Sequence, residues 1–107
     1  MEPSSPLLAI TARTHFRLME IVYFESSRNY TFIILTSGRK VLLTKTLGCI
    51  AQDLQNKSFI RVSRSHLVNR HYLESIDNSD DAYYAKIKNG SQLLISRRRL
   101  KTVFEQC

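Results

Sequence analysis

Two segments of this 107-residue chain carry side chains suited to holding anions. One is Phe59-Ile60-Arg61-Val62-Ser63-Arg64-Ser65-His66-Leu67-Val68-Asn69; the other is Ser96-Arg97-Arg98-Arg99, with Lys101 just beyond. In the first, polar residues alternate with apolar anchors, so the polar groups leave a held segment rather than a free loop. An arginine there can grip a guanine edge through two parallel N–H groups, and Ser or Asn can reach phosphates or base edges. For Ser65 and Asn69 the competing role is local, as turn and cap residues that satisfy nearby backbone groups. In the second segment Ser96 reads as a helix N-cap, which sets three guanidinium groups at the positive end of the helix dipole. Each such cation is disfavoured by roughly 0.3–1 kcal/mol. An anion at that point would be held by free backbone N–H groups and by the arginines together. The competing role is a solvated basic turn.

Other chemistries find little support. Ser63 or Ser65 beside His66 suggests a nucleophile and base, but no acid lies near to orient the histidine. His15, His66 and His71 have no ligand-like spacing to one another or to the cysteines, so no metal is expected. The three glycines form no phosphate-binding loop, and no cofactor is implied. Cys49 and Cys107 make neither a disulfide framework nor a metal pair, which favours a reducing compartment. The chain is read as a non-enzyme.

The charge is segregated. Sixteen Lys and Arg against nine Asp and Glu give a formal +7. Residues 61–71 hold Arg61, Arg64, His66, Arg70 and His71 with no acid, and 97–101 are equally free of acids, which gather at Glu74, Asp77, Asp80 and Asp81. Segregation of this kind favours a face for a polyanion, either nucleic acid or an anionic membrane surface. No apolar run has the length of a membrane span; even Phe32 to Leu35, among the longest, is strand-sized. The opening Met1-Glu2-Pro3-Ser4-Ser5-Pro6 lacks a secretory pattern and reads as a disordered leader, so a cytoplasmic location is expected.

The elements that must position these groups are mostly strands. Leu7 to Arg13 is β-compatible, Arg17 to Glu25 contains a buried strand at Ile21 to Phe24, and Asn29 to Thr36 is dense enough in β-branched and aromatic residues for a central strand. Ser37-Gly38 turns the chain into Arg39 to Leu43. Leu47, Ile50, Ala51 and Leu54 then fall on one helical face behind Thr46 as N-cap, although Gly48 costs roughly 1 kcal/mol there. Phe59 to Val62 resumes strand, Ser65 to Asn69 reads as a turn of helix, and Tyr72 to Ile76 as another strand. Asn78 to Asp81 is an acidic loop. Asn89-Gly90 predicts a type I′ hairpin turn between Tyr83–Ile87 and Gln92–Ile95. Ser96 opens a last helix whose Leu100, Val103 and Phe104 should face the core. The class is mainly β with two short helices.

In order along the chain, Ile21-Val22-Tyr23-Phe24-Glu25, Asn29-Tyr30-Thr31, Thr46-Leu47, the segment from Phe59 to Asn69, and Ser96-Arg97-Arg98 together resemble the LytTR DNA-binding domain. The resemblance runs from about Ile21 to Phe104, within a domain placed at residues 7–105. Its most specific piece is an F-x-R-x-H-R-S-x-x-V-N pattern, from which this chain departs at Ser63, where the family usually has histidine. The resemblance implies an elongated β-β-β fold that inserts loop side chains into successive major grooves of direct-repeat DNA. It implies base contacts at Asn29, Tyr30, Arg64 and Arg98, and phosphate contacts at Arg28, Arg61, Ser63, Ser65, Arg97, Arg99 and Lys101. The function implied is sequence-specific double-stranded DNA binding by a bacterial transcriptional regulator. A homodimer on DNA and a sensor or regulatory protein are the further partners. The family usually sits at the C-terminus of two-component response regulators; with no receiver domain here, the chain is expected to be either a stand-alone member or a piece cut from a longer protein, and the leader at Met1 favours the former. The alternatives are a protein-interaction module that kept the fold with weak or no DNA binding, and an RNA binder, although no RNP-like motif is present.

Overall fold

A computed structural model of the chain describes residues 7–9, 15–55 and 57–106, with side chains from Phe16 onward. The leader 1–6 and most of the strand expected over 7–13 fall outside the described residues.

Four consecutive buried residues at Ile21 to Phe24 cannot alternate across a regular strand. The chain solves this with a bulge. Strand β3 (Ile21–Ser27) pairs with β4 (Tyr30–Leu35), and the register shifts between Ile21 and Tyr23, so that Val22 is the extra residue. Val22 and Tyr23 then serve one side of the sheet while Ile21 and Phe24 serve the other. Around this strand forms a five-stranded antiparallel sheet of order β5-β4-β3-β7-β6, completed by β5 (Lys40–Leu43), β6 (Phe59–Arg61) and β7 (His66–Asn69). Ahead of it, β1 (Leu7–Ala9) and β2 (His15–Arg17) form a separate antiparallel pair.

Each face of the five-stranded sheet carries its own core. On one side Ile21, Phe24, Ile33, Leu43 and Leu67 pack against Leu47, Ile50 and Leu54 of α1 (Leu47–Asp53) and its C-cap. Helix α1 starts as anticipated, with the Thr46 hydroxyl accepting from the Cys49 N–H at 3.3 Å. On the other side Val22, Tyr23, Ile60, Val62 and Val68 meet a three-stranded antiparallel sheet of order β10-β9-β8. That sheet comprises β8 (Leu73–Ser79), β9 (Ala82–Ile87) and β10 (Gln92–Ile95), with Ala85, Ile87, Leu93 and Ile95 inward. Val103 of α2 (Leu100–Gln106) closes this second core.

Four expectations change. Residues 66–69 are strand β7, not a turn of helix. Leu67 faces the first core and Val68 the second, and a short segment buried on both faces shows no period that separates strand from helix. The type I′ turn lies elsewhere: Asp80 and Asp81, at φ 53° and 63°, form the two-residue link between paired Ser79 and Ala82. At Asn89-Gly90 only the glycine has positive φ, and Gly90 N–H closes on the Ile87 carbonyl at 2.9 Å in a three-residue loop. Ser96 makes no side-chain cap. Its backbone carbonyl accepts from Arg99 N–H as a 3-10 turn over Arg97–Arg99 leads into α2. Finally, Phe104 is half exposed and meets Tyr83 edge-on instead of entering the core.

Candidate nucleic-acid interface

Three pieces of chain converge at one end of the five-stranded sheet. The first is the tip of the β3–β4 hairpin, where Arg28, Asn29 and Tyr30 are all exposed. Ser27 pairs with Tyr30, so only two residues turn the chain, and Arg28 takes φ 58° to do so. A left-handed conformation at a residue with a Cβ costs roughly 1–2 kcal/mol, and such strain gathers where a side chain must be aimed. The hairpin is anchored one residue into β4 by Thr31, which is fully buried and donates its hydroxyl proton to the Lys45 carbonyl at 2.7 Å.

The second piece is the 62–65 loop between β6 and β7. Ser26 N–H donates to the Ser65 carbonyl at 2.8 Å, fastening this loop to the first hairpin. Within it the Ser63 hydroxyl accepts from Ser65 N–H at 3.1 Å. Arg64 is exposed, and its guanidinium has no partner among the described residues. Arg61, by contrast, is folded inward: Nε donates to the Ser63 carbonyl at 2.7 Å and Nη2 to the Arg64 carbonyl at 3.0 Å. Burial, and then the neighbouring Arg99 charge, hold its guanidinium below the usual arginine range. His66, at the start of β7, sits edge-on to Tyr23 with ring centroids 5.7 Å apart. Burial lowers its pKa, opposed by Glu25 directly across in β3.

The third piece is the C-terminal basic run. Ser96 N–H donates to the Val62 carbonyl at 2.9 Å, tying the run to the loop. Arg97, Arg98 and Lys101 are exposed; Arg99 is half-buried beside Arg61.

Between the first two pieces lies a polar cleft of about 500 Å³, lined by Ser26, Arg28, Gly48, Arg61, Arg64 and Ser65 among others. Of the residues singled out in the sequence, Arg28, Arg61, Arg64 and Ser65 therefore share a wall. Asn29 and Tyr30 stand on the adjacent tip. Arg97 does not line this cleft; it borders a separate apolar groove with Tyr83, Leu94 and Leu100. Sequence reasoning missed Ser26 and the start of α1 at Leu47-Gly48 as cleft residues. In the sequence Gly48 registers only as a helix weakness; in the fold it lines the cleft, and a Cβ there would meet nothing within 4 Å. Asn69 is excluded from the cleft by its burial at 2% exposure. Its Nδ2 donates to the Leu18 and Ile21 carbonyls at 3.1 and 2.9 Å, and its Oδ1 accepts from His71 N–H at 3.0 Å. Among the described residues no cluster of His, Cys, Asp and Glu could hold a metal ion, and no helix is long and apolar enough to cross a membrane.

Comparison with known proteins places this arrangement. A solved LytTr DNA-binding domain from Bacillus cereus superposes with a TM-score of 0.75, covering 98% of this chain and 97% of that one at 18% identity. Accessory gene regulator protein A from two strains of Staphylococcus epidermidis is 32% identical over 85 residues, which is 78% of this chain. The chain spans about a third of the length of those relatives (34%). The model of the LytTr DNA-binding domain family matches residues 12–107, and the chain belongs to that family of DNA-binding domains.

Proposed function

We propose that the domain reads double-stranded DNA in the major groove through the β3–β4 tip, the 62–65 loop and the basic run after β10, and regulates transcription by doing so. The observation that carries this reading is the fastening of all three pieces by backbone hydrogen bonds, Ser26 to Ser65 and Ser96 to Val62. Side chains on a preformed frame can be presented at fixed spacing, which groove readout requires. Arg64, exposed and without a partner among the described residues, is the foremost base contact. Asn29, Tyr30 and Arg98 are the others, while Arg28, Ser63, Ser65, Arg97, Arg99 and Lys101 serve phosphates. Direct-repeat sites, a dimer on DNA and a regulatory protein partner belong to this same proposal.

The test is fluorescence anisotropy with a duplex selected by the protein from a random pool, set beside random duplex, across a salt series. Affinity should fall linearly in log–log form. Arg64→Ala should cost about 1–3 kcal/mol on the selected duplex, with much less on random sequence. A wild-type chain without measurable duplex affinity at low salt would instead favour a protein-interaction module.

A further inference from the structure

The 62–65 loop has no regular structure, yet each of its four carbonyls is engaged. The two outer ones, of Val62 and Ser65, accept from the backbone N–H groups of Ser96 and Ser26. The two inner ones, of Ser63 and Arg64, are both taken by the side chain of Arg61, at 2.7 and 3.0 Å. The stem of Arg61 has little freedom, because the residues on either side of it, Ile60 and Val62, are buried in the second core. No carboxylate pairs with the Arg61 guanidinium among the described residues. The charge that acts on it is that of Arg99, and it is repulsive. With no ion-pair partner among the described residues and a like charge beside it, Arg61 spends its donors on backbone carbonyls. The planar guanidinium offers donors in a rigid fork, and here that fork spans two successive peptide groups.

We propose that Arg61 is a positioning residue, which folds the 62–65 loop in the free protein so that Arg64 meets DNA in one orientation. This rests on the DNA-reading function above, and it differs from the phosphate-binding role expected of Arg61 from the sequence. Lysine keeps the charge and loses the fork, so Arg61→Lys separates the two roles.

The full chain carrying Arg61→Lys, and separately Arg61→Gln, is measured in two ways. In the free protein, nitrogen-15 relaxation of Ser63, Arg64 and Ser65 should show increased mobility in both variants. On DNA, Arg61→Lys should lower discrimination between the selected and random duplexes by about ten-fold or more, the size of one base-reading interaction. Its random-duplex affinity and salt slope should stay near wild type. On an Arg64→Ala background, Arg61→Lys should cost nothing further, since it acts only through Arg64. The idea is overturned if Arg61→Lys keeps full discrimination while Arg61→Gln weakens binding to every duplex and flattens the salt slope by about one. It is equally overturned if loop mobility is unchanged in Arg61→Lys. That second measurement needs no DNA, so a failure of the loop-folding role is distinguishable from a failure of the DNA-reading function.

Discussion

Asn69 and Arg28 show opposite uses of a single polar residue. Asn69 commits its amide group and its oxygen to backbone partners, joining the start of β3 to the turn after β7. Asn69→Ala strands the Ile21 carbonyl and the His71 N–H, while the Leu18 carbonyl keeps the Ile21 N–H, at a cost of about 1–3 kcal/mol for each group that stays unpaired. The melting temperature should fall clearly, while DNA affinity per folded molecule stays unchanged; normal melting with weakened affinity would move Asn69 into the set of DNA-binding residues. Arg28 carries strain at φ 58°. Arg28→Gly relieves it and should raise stability by up to about 1 kcal/mol in a denaturant melt while weakening duplex binding. A less stable variant that binds as before would show the strain to be structural. His66 adds a dependence on pH. Its folded-state pKa is lowered chiefly by burial, so below about 6.5 the unfolded chain takes up a proton that the folded chain refuses. Stability from this group is complete above that value and is lost as pH falls toward the lowered folded pKa. His66→Gln should flatten the decline below about pH 6.5. An unaltered decline would assign it to other groups.

At the scale of elements, turn chemistry decides what can be improved. Asp80 and Asp81 place two like charges in a type I′ turn, where Asn-Gly is strongly preferred. The double change Asp80→Asn with Asp81→Gly should stabilise the β8–β9 hairpin by about 0.5–1 kcal/mol, a rise of several degrees in melting temperature. DNA affinity should be unmoved. A lower melting temperature would mean that the aspartates have stabilising partners of their own. Legibility in the sequence followed the same logic. Helix α1 was visible because Leu47, Ile50 and Leu54 all face one core. Strands β4, β9 and β10 were visible from their β-branched and alternating residues. Strand β7 was not, because Leu67 and Val68 are claimed by opposite cores. The Asn89-Gly90 signal was right about the hairpin and wrong about the turn, since Asn89 uses its side chain instead, its Oδ1 accepting from Ser91 N–H at 2.9 Å. Of the candidate site, the residue types and their three locations were legible. The inward fold of Arg61 was not, because it depends on carbonyls that local sequence does not place.

Across the whole molecule, the +7 charge is arranged so that repulsion is concentrated where DNA is proposed to bind. Arg99 acts unfavourably on Arg61, and Arg97 sits exposed in the same 3-10 turn. Arg97→Gln with Arg99→Gln should leave the free fold as stable or a few tenths of a kcal/mol more so. Binding to selected and random duplexes should weaken alike, with the salt slope flatter by about one unit for each phosphate no longer neutralised. A pair of substitutions that destabilises the fold and leaves the slope intact would make these arginines structural.

The hydrogen bond from Ser96 to Val62 also bears on how the protein comes into being on the ribosome. Translation delivers β3, β6 and the 62–65 loop well before β10 and the residue that follows it. Until Ser96 has emerged, the Val62 carbonyl lacks its donor and the second core lacks Leu93 and Ile95. A nascent chain that has exposed Arg28 and Arg64 therefore still lacks one of the two backbone bonds that fasten the 62–65 loop to its neighbours. The order of synthesis leaves the proposed reading face incomplete until the fold is nearly whole.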